Sequence, residues 1–341
     1  MIFRSKAPLR VGLAGGGTDV SPYSDEFGGA ILNATISLYA HAGIETLPGN
    51  EIILRAEDRN EEEQFVFQHE LPVNGTLDLL KGVFNRVSKD YGIPQQGMRI
   101  TTMADAPAGS GLGTSSTVVV AILGAFVEML RLPLGDYDIA HYAYEIERND
   151  LKLAGGKQDQ YAATFGGVNF MEFEADNKVI VNPLRIRPEY LHELENNLVL
   201  FYTATSRESA AIIKEQQKNV TEHRQSSIEA MHQLKEQARM MKEALLKGKL
   251  NEIGEILDYG FQQKRKMAAN ISNPLIENIY DAAKKAGATG GKISGAGGGG
   301  FMIFYCPAQT RYSVINALKP FNGLVRNYQF TKHGLTTWRS S

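Results

Sequence analysis

Apolar residues recur along this chain at two different spacings, and the changes between them divide it into elements. Short apolar or alternating runs, bounded by glycine, proline or polar residues, predict strands over 10–14, 30–36, 38–44, 51–55, 64–67 and 98–103. Leu79, Leu80, Val83, Phe84 and Val87 fall at the helical period and predict a helix over 78–91. Helices are expected over 116–130, 136–149 and 158–165, followed by strands at 167–173 and 179–181. Residues 185–188 read as a linker. Beyond it come a strand at 198–202 and a long, polar, helix-rich stretch over 208–269. Its charged positions read as solvated faces, and a helical hairpin there would suit a lid or a dimer contact. Helices at 276–286 and 310–318 and strands at 291–294, 301–305 and 323–328 complete the chain. The pattern is α+β in two halves, 1–184 and 185–341, with no 20–50-residue repeat of a solenoid.

Composition narrows the function classes. A length of 341 residues suffices for two domains, each with its own core. Lysine and arginine number 36 against 38 acidic residues, a net charge of −2, so no global field favours nucleic acid or a membrane surface. The densest basic run, Lys264-Arg265-Lys266, is too short to change that. The single cysteine, Cys306, rules out an internal disulfide framework and a cysteine-based zinc cluster, and its apolar run 301–306 predicts a buried strand thiol. The N-terminus lacks the apolar core of a signal peptide, and the longest apolar run, 118–127, is too short to cross a bilayer. The expected location is cytoplasmic.

The 34 glycines change the picture, because they cluster at Gly12 with Gly15–Gly17, at Gly109–Gly113 and at Gly290–Gly300. In Pro107-Ala-Gly-Ser-Gly-Leu-Gly-Thr-Ser-Ser-Thr117, glycines alternate with small residues just before an apolar helix. Such a loop turns backbone amides inward, and the helix start adds unpaired N–H groups and the positive end of a dipole, which suits phosphate. Thr114, Ser115 and Ser116 add hydroxyls for a phosphate-bound metal. A helix N-cap with a flexible approach explains one such loop equally well. A Walker loop is excluded, since the nearest stretch sets Gly287 too close to Lys292 and has Ile293 where the metal hydroxyl belongs. Gly295-x-Gly297-x-x-Gly300 precedes a strand where a dinucleotide fingerprint needs a helix. No His-Arg-Asp or Asp-Phe-Gly of the protein kinases occurs.

Three glycine segments with acidic residues between them remain. Ala7-Pro-Leu-Arg-Val-Gly-Leu-Ala-Gly-Gly-Gly-Thr-Asp19 resembles the first motif of the GHMP small-molecule kinases. Residues 107–116 resemble their second, and Lys292-Ile-Ser-Gly-Ala-Gly-Gly-Gly-Gly-Phe301 their third, in order and at family spacing. The resemblance implies a two-domain fold: an N-terminal mixed α/β domain with a left-handed βαβ phosphate loop, and a C-terminal ferredoxin-like domain with added helices. It implies ATP and Mg²⁺ as cofactors, with ATP phosphates on Pro107, Gly109, Ser110, Gly111, Leu112, Gly113, Thr114, Ser115 and Ser116. Ser115 becomes the Mg²⁺ hydroxyl, with Thr114 and Ser116 as alternative registers, and Glu147 the acidic metal ligand. Asp159 matches the catalytic aspartate, Arg10 the basic residue beside it, and Asp19 a substrate-hydroxyl ligand. Phosphoryl transfer needs these types: charge neutralisation on the γ-phosphoryl, in-line positioning and a carboxylate to accept the attacking hydroxyl's proton.

The acceptor is read from departures within the motifs. Galactokinase-like members carry Gly-Glu-His-Thr-Asp where this chain has Gly15-Gly16-Gly17-Thr18-Asp19, which opens space at the reacting end. That form, with Gly155-Gly-Lys-Gln-Asp-Gln160, resembles the branch that phosphorylates the anomeric hydroxyl of manno-configured heptose 7-phosphate, the fucokinase domains being close relatives. Gly16, Gly17, Thr18, Gly297 and Gly298 are then expected at the substrate. A phosphorylated acceptor calls for cations, and Lys157 and Arg207 lead, with Ser206 adding a hydroxyl and Lys6, Arg4 and Lys292 behind them. A fucokinase-like sugar 1-kinase and a non-catalytic sugar- and ATP-binding sensor are the competing readings. Partners are expected to be small molecules and a second copy of the chain.

Overall fold

The computed structural model describes residues 1–205 and 209–340. The chain begins with β1 (Ile2–Ala14), a short helix α1 (Tyr23–Phe27) and β2 (Gly29–Leu47). A hairpin of β3 (Glu51–Ala56) and β4 (Glu61–Val66) precedes α2 (Asp78–Tyr91) and β5 (Gly97–Ala104). Then come α3 (Thr114–Leu130), α4 (Asp136–Glu145), α5 (Gln158–Phe165) and the hairpin β6 (Val168–Phe173) with β7 (Val179–Pro183). The second half runs α6 (Pro188–Asn197), β8 (Leu198–Tyr202), α7 (Ser209–Thr221), α8 (Gln225–Lys247), α9 (Ile253–Lys264) and α10 (Pro274–Lys285). It closes with β9 (Gly290–Ile293), β10 (Phe301–Tyr305), α11 (Thr310–Leu318), β11 (Leu324–Arg326) and β12 (Thr336–Ser340).

The two strands expected over 30–44 are one 19-residue strand, β2, because its ends serve different partners. Gly29–Ala34 pairs with β6, Ala40–Leu47 pairs with β5, and β1 runs antiparallel along it. The first sheet has the order β12-β1-β2-β5-β3-β4, with β6 and β7 joining through β2. The second sheet has the order β11-β8-β10-β9, all antiparallel, which together with its helix placement is the ferredoxin-like arrangement. The expected helix over 136–149 ends at Glu145 and continues as a π-helical turn over Ile146–Asp150, a widening common at functional sites.

β1 holds the halves together. Leu9, Val11 and Leu13 are fully buried in one cluster with Leu200, Met241, Leu245 and Phe301 of the second half. Each such side chain contributes roughly 1.5–3 kcal/mol of burial. Arg10, between them in the alternation, reaches α5 instead. The outer edge of β1 is covered by β12, which pairs from Ile2↔Ser340 to Lys6↔Thr336. An open edge invites pairing with another chain, and the tail removes it. A division at 184/185 therefore leaves the last strand on the first sheet. Cys306, just past β10, is fully buried, and burial pushes its thiol up to about 12. Among the described residues no helix is long and apolar enough to cross a membrane.

Candidate active site

All three glycine segments meet at one cavity of about 270 Å³ between the halves. The loop at 107–117 enters it on alternate residues. Gly109, Gly111 and Gly113 line it, followed by Thr114, Ser115 and Ser116 at the start of α3. The residues between point away. Leu112 is buried in the core shared by the halves, and the Ser110 carbonyl accepts the Phe301 N–H at 2.8 Å. Pro107 is exposed and its carbonyl closes a turn with Ser110 N–H at 3.2 Å, so Pro107, Ser110 and Leu112 shape the loop rather than face the cavity. Gly111 takes φ +86, and a Cβ there would lie 2.5 Å from the Ser294 carbonyl, so the second and third motifs pack backbone on backbone. No side chain caps α3, whose N-cap is Gly113, and the first N–H groups are left for a ligand.

Arg10 reaches across the sheet to α5. Its Nε donates to Asp159 Oδ1 at 2.7 Å, Nη2 lies 2.5 Å from the same oxygen, and Nη1 donates to the Gly111 carbonyl at 2.7 Å. Asp159 Oδ2 receives no hydrogen bond from the described residues. The Asp159 carboxyl carbon lies 3.0 Å from where a Cβ of Gly113 would stand, so it abuts the phosphate-type loop. Asp19 sits beside this pair, where its Oδ2 accepts the N–H groups of Lys157 at 2.9 Å and Gln158 at 3.0 Å and so caps α5. A Cβ on Gly156 would collide with that oxygen. Burial raises the Asp19 carboxyl above its ordinary value; the Gln158 N–H opposes this and Asp159 adds to it.

The π-helical turn turns Glu147 inward, where it is almost fully buried yet lines the cavity. The Gln160 side-chain amide donates to Glu147 Oε2 and, at 3.2 Å, to Ser116 Oγ. Thr114 Oγ1 is engaged with Ser110 Oγ at 3.3 Å. Of the three candidate hydroxyls, Ser115 is the one without such a partner among the described residues. Hard oxygens from Ser115 and Glu147 on one wall, beside a phosphate-type loop, are a donor set that fits Mg²⁺.

Several expected residues lie elsewhere. Lys157 does not line the cavity: its ammonium is buried against Asp25 Oδ1 at 2.8 Å and Ser24 Oγ at 3.3 Å, holding α1 to the start of α5. Thr18 gives its hydroxyl to the carbonyls of Gly15 and Ala30 at 2.9 and 3.0 Å. Gly297 and Gly298 pack on Ile271, whose carbonyl accepts the Gly298 N–H at 2.8 Å, while Gly16, Gly17 and Asp19 do face the cavity. Lys6 stands over the Tyr39 ring, 5.1 Å from its centre. Arg207 and Ser206 lie outside the described residues.

Among the described residues, the cations that face the cavity are Arg10, Arg148, Lys264 and Lys292. Lys264 was counted with a solvated basic run, yet it ends α9 nearly fully buried, its Nζ 3.1 Å from the Gly16 carbonyl. Burial lowers it to about 8. Lys292 donates to the Gly12 carbonyl at 2.7 Å, and burial pushes it well below the ordinary lysine value, with Lys264 and Arg10 adding to the shift. Ala210, Ile213 and Gln216 of α7 form the opposite wall, so part of the long helical stretch encloses the site.

This arrangement of uncapped helix, glycine segments and clamped carboxylate defines a small-molecule kinase. The family models for the GHMP kinases N terminal domain and the GHMP kinases C terminal match residues 78–167 and 241–323. The chain belongs to the GHMP kinases and is a phosphotransferase. It is 45% identical, over 98% of both chains, to D-glycero-alpha-D-manno-heptose 7-phosphate kinase of Campylobacter jejuni. A crystal structure of a D-glycero-D-manno-heptose 1-phosphate kinase from Bacteroides thetaiotaomicron superposes with a TM-score of 0.85 at 46% identity, covering 99% of each chain. The L-fucokinase/L-fucose-1-P guanylyltransferase of Bacteroides fragilis is 29% identical over 87% of this chain and 34% of its own length.

Proposed function

We propose that the protein transfers the γ-phosphoryl group of ATP to the anomeric hydroxyl of D-glycero-D-manno-heptose 7-phosphate, giving the 1,7-bisphosphate. The observation that carries the chemistry is the Arg10–Asp159 pair: the guanidinium clamps Oδ1 on the Gly113 side of the carboxylate, and Oδ2 takes no hydrogen bond among the described residues. In this reading the amides of Gly109–Ser115 and the uncapped start of α3 hold the ATP phosphates. Asp159 Oδ2 accepts the acceptor's proton as the C1 oxygen bonds to phosphorus and the bond to the ADP oxygen breaks. Arg10 orients the carboxylate and, through Gly111, holds it in fixed register with the loop. Ser115 and Glu147 would hold Mg²⁺, with Gln160 orienting Glu147. When bound, the metal supplies neutralisation of the phosphate oxygens. Asp19, fixed as the cap of α5, presents Oδ1, which also accepts from the Gln158 side-chain amide at 3.4 Å, to the acceptor's hydroxyls.

The choice of acceptor rests on the 45% identity to the heptose 7-phosphate kinase and on the open space at Gly16, where a Cβ would meet only Lys264 Nζ at 3.8 Å; at Gly17 the expected opening is filled by the Met267 side chain. Coupled ADP release with heptose 7-phosphate, fucose and galactose, and Asp159→Asn as control, tests it. Turnover of heptose 7-phosphate above the other two is expected. Preference for an unphosphorylated sugar would sink the reading in favour of a fucokinase-like enzyme, and no turnover on any sugar would favour a sensor.

A further inference from the structure

Four lysines are nearly fully buried: Lys81, Lys157, Lys264 and Lys292. Two serve the fold and have carboxylates, Lys81 with Glu63 and Lys157 with Asp25 at 2.8 Å. Lys264 and Lys292 have none within ion-pairing distance among the described residues. Each ammonium carries three donors, and in each only one is engaged among the described residues, by a single backbone carbonyl. Burying a cation without a counter-ion is unfavourable by several kcal/mol unless something supplies the missing charge. Both line the cavity, and so does Gln216, whose buried Nε2 has no partner among the described residues.

We infer that Lys264, Lys292 and Gln216 form the binding site for the phosphate ester that the acceptor sugar already carries. This rests on the proposed reaction and names the residues that set its preference for a phosphorylated sugar. The position supports the acceptor rather than ATP. Lys292 is tied to Gly12 and Lys264 to Gly16, so the cations follow the first motif onward from Arg10. Gln216 continues that line at Gly17, its Oε1 3.6 Å from where a Cβ of Gly17 would stand. Strand geometry separates Arg10 from Gly12 by roughly 7 Å, about the reach from a reacting ring hydroxyl to a phosphate on the sugar's far end. A dianion there takes up the unspent ammonium donors as charge-assisted hydrogen bonds.

Isothermal titration of the full chain tests this with three probes: heptose 7-phosphate, the same heptose without phosphate, and a non-hydrolysable ATP analogue. Wild type is expected to bind the ester well above the bare sugar. Lys264→Met and Lys292→Met should each reduce that preference by about tenfold to a hundredfold, with affinity for the ATP analogue held. Gln216→Leu, an apolar replacement of similar shape that removes a buried orphan donor, should fold and lower the preference less. Equal loss on both sugars, loss on the ATP analogue, or an intact preference in all three variants would overturn the assignment while the proposed reaction stands. A wild type that binds and turns over the bare sugar better would remove both.

Discussion

Arg10 and Asp159, 149 residues apart in sequence, meet through one carboxylate oxygen, with Arg10 Nε 2.7 Å from Oδ1. The other oxygen takes no hydrogen bond among the described residues, and the same guanidinium is anchored to the Gly111 carbonyl, which also accepts from Ser294 Oγ at 2.8 Å. Loss of the carboxylate therefore leaves the loop anchored. Asp159→Asn is expected to lower kcat by about 10²–10⁴ with ATP-analogue affinity near wild type, as general-base loss does. Coupled ADP release and analogue titration separate the two. A large loss of ATP affinity in Asp159→Asn would contradict a proton-accepting role.

Gln160 does not line the cavity, yet its amide joins Glu147 to Ser116. Such orienting partners typically change metal affinity by about 10–100-fold when removed. Gln160→Leu and Glu147→Gln should both raise the Mg²⁺ concentration for half-maximal rate, the second more. An unchanged Mg²⁺ dependence in Glu147→Gln would remove Glu147 from the metal site.

Lys157→Met is expected to act on stability. It leaves Asp25 without its ammonium where α1 meets α5, an effect of about 1–3 kcal/mol read from urea unfolding, while the KM for a sugar phosphate stays near wild type. A selective rise in that KM would return Lys157 to the substrate pocket.

Stability should depend on pH through Lys264. Burial lowers it from 10.5 to about 8, with Asp19 opposing and Arg10 adding. Below pH 8 it is protonated in both states and the burial penalty is complete. Between about 8 and 10.5 the unfolded chain holds a proton that the folded protein has released, so stability rises with pH; above 10.5 the penalty is gone. Lys292 acts with the same sign. Unfolding free energies of wild type and Lys264→Met, compared from pH 8 to 10, should diverge by up to about 1.4 kcal/mol per pH unit. Parallel curves would mean Lys264 is not a buried cation.

Some of what the sequence analysis missed was present as pattern. Ile253, Ile256, Leu257, Gly260 and Phe261 are buried on one face of α9, and Lys264 follows at the same period. Reading it by its basic neighbours obscured that. Lys157 lies two residues before Asp159 in the sequence, but residues two apart at a helix start face different ways. Glu147 also lies on its helix's inner face, after Ile139, Ala140 and Ala143, and the π-helical turn carries that face into the cavity.

The amino-acid sequence by itself determined the α+β class and the three glycine segments, which depend on local properties: glycine φ, helix starts and apolar period. The short list containing Arg10, Ser115, Glu147 and Asp159 came with the resemblance to the GHMP kinases. Only the tertiary structure decided which lysines face the cavity, that Gly297 and Gly298 pack on Ile271, and that β12 returns to β1. A long side chain points where its packed element aims it, and the carbonyls that receive Lys264 and Lys292 lie 248 and 280 residues away. No local period encodes an approach of that range; it is set by the burial of β1 between the two halves.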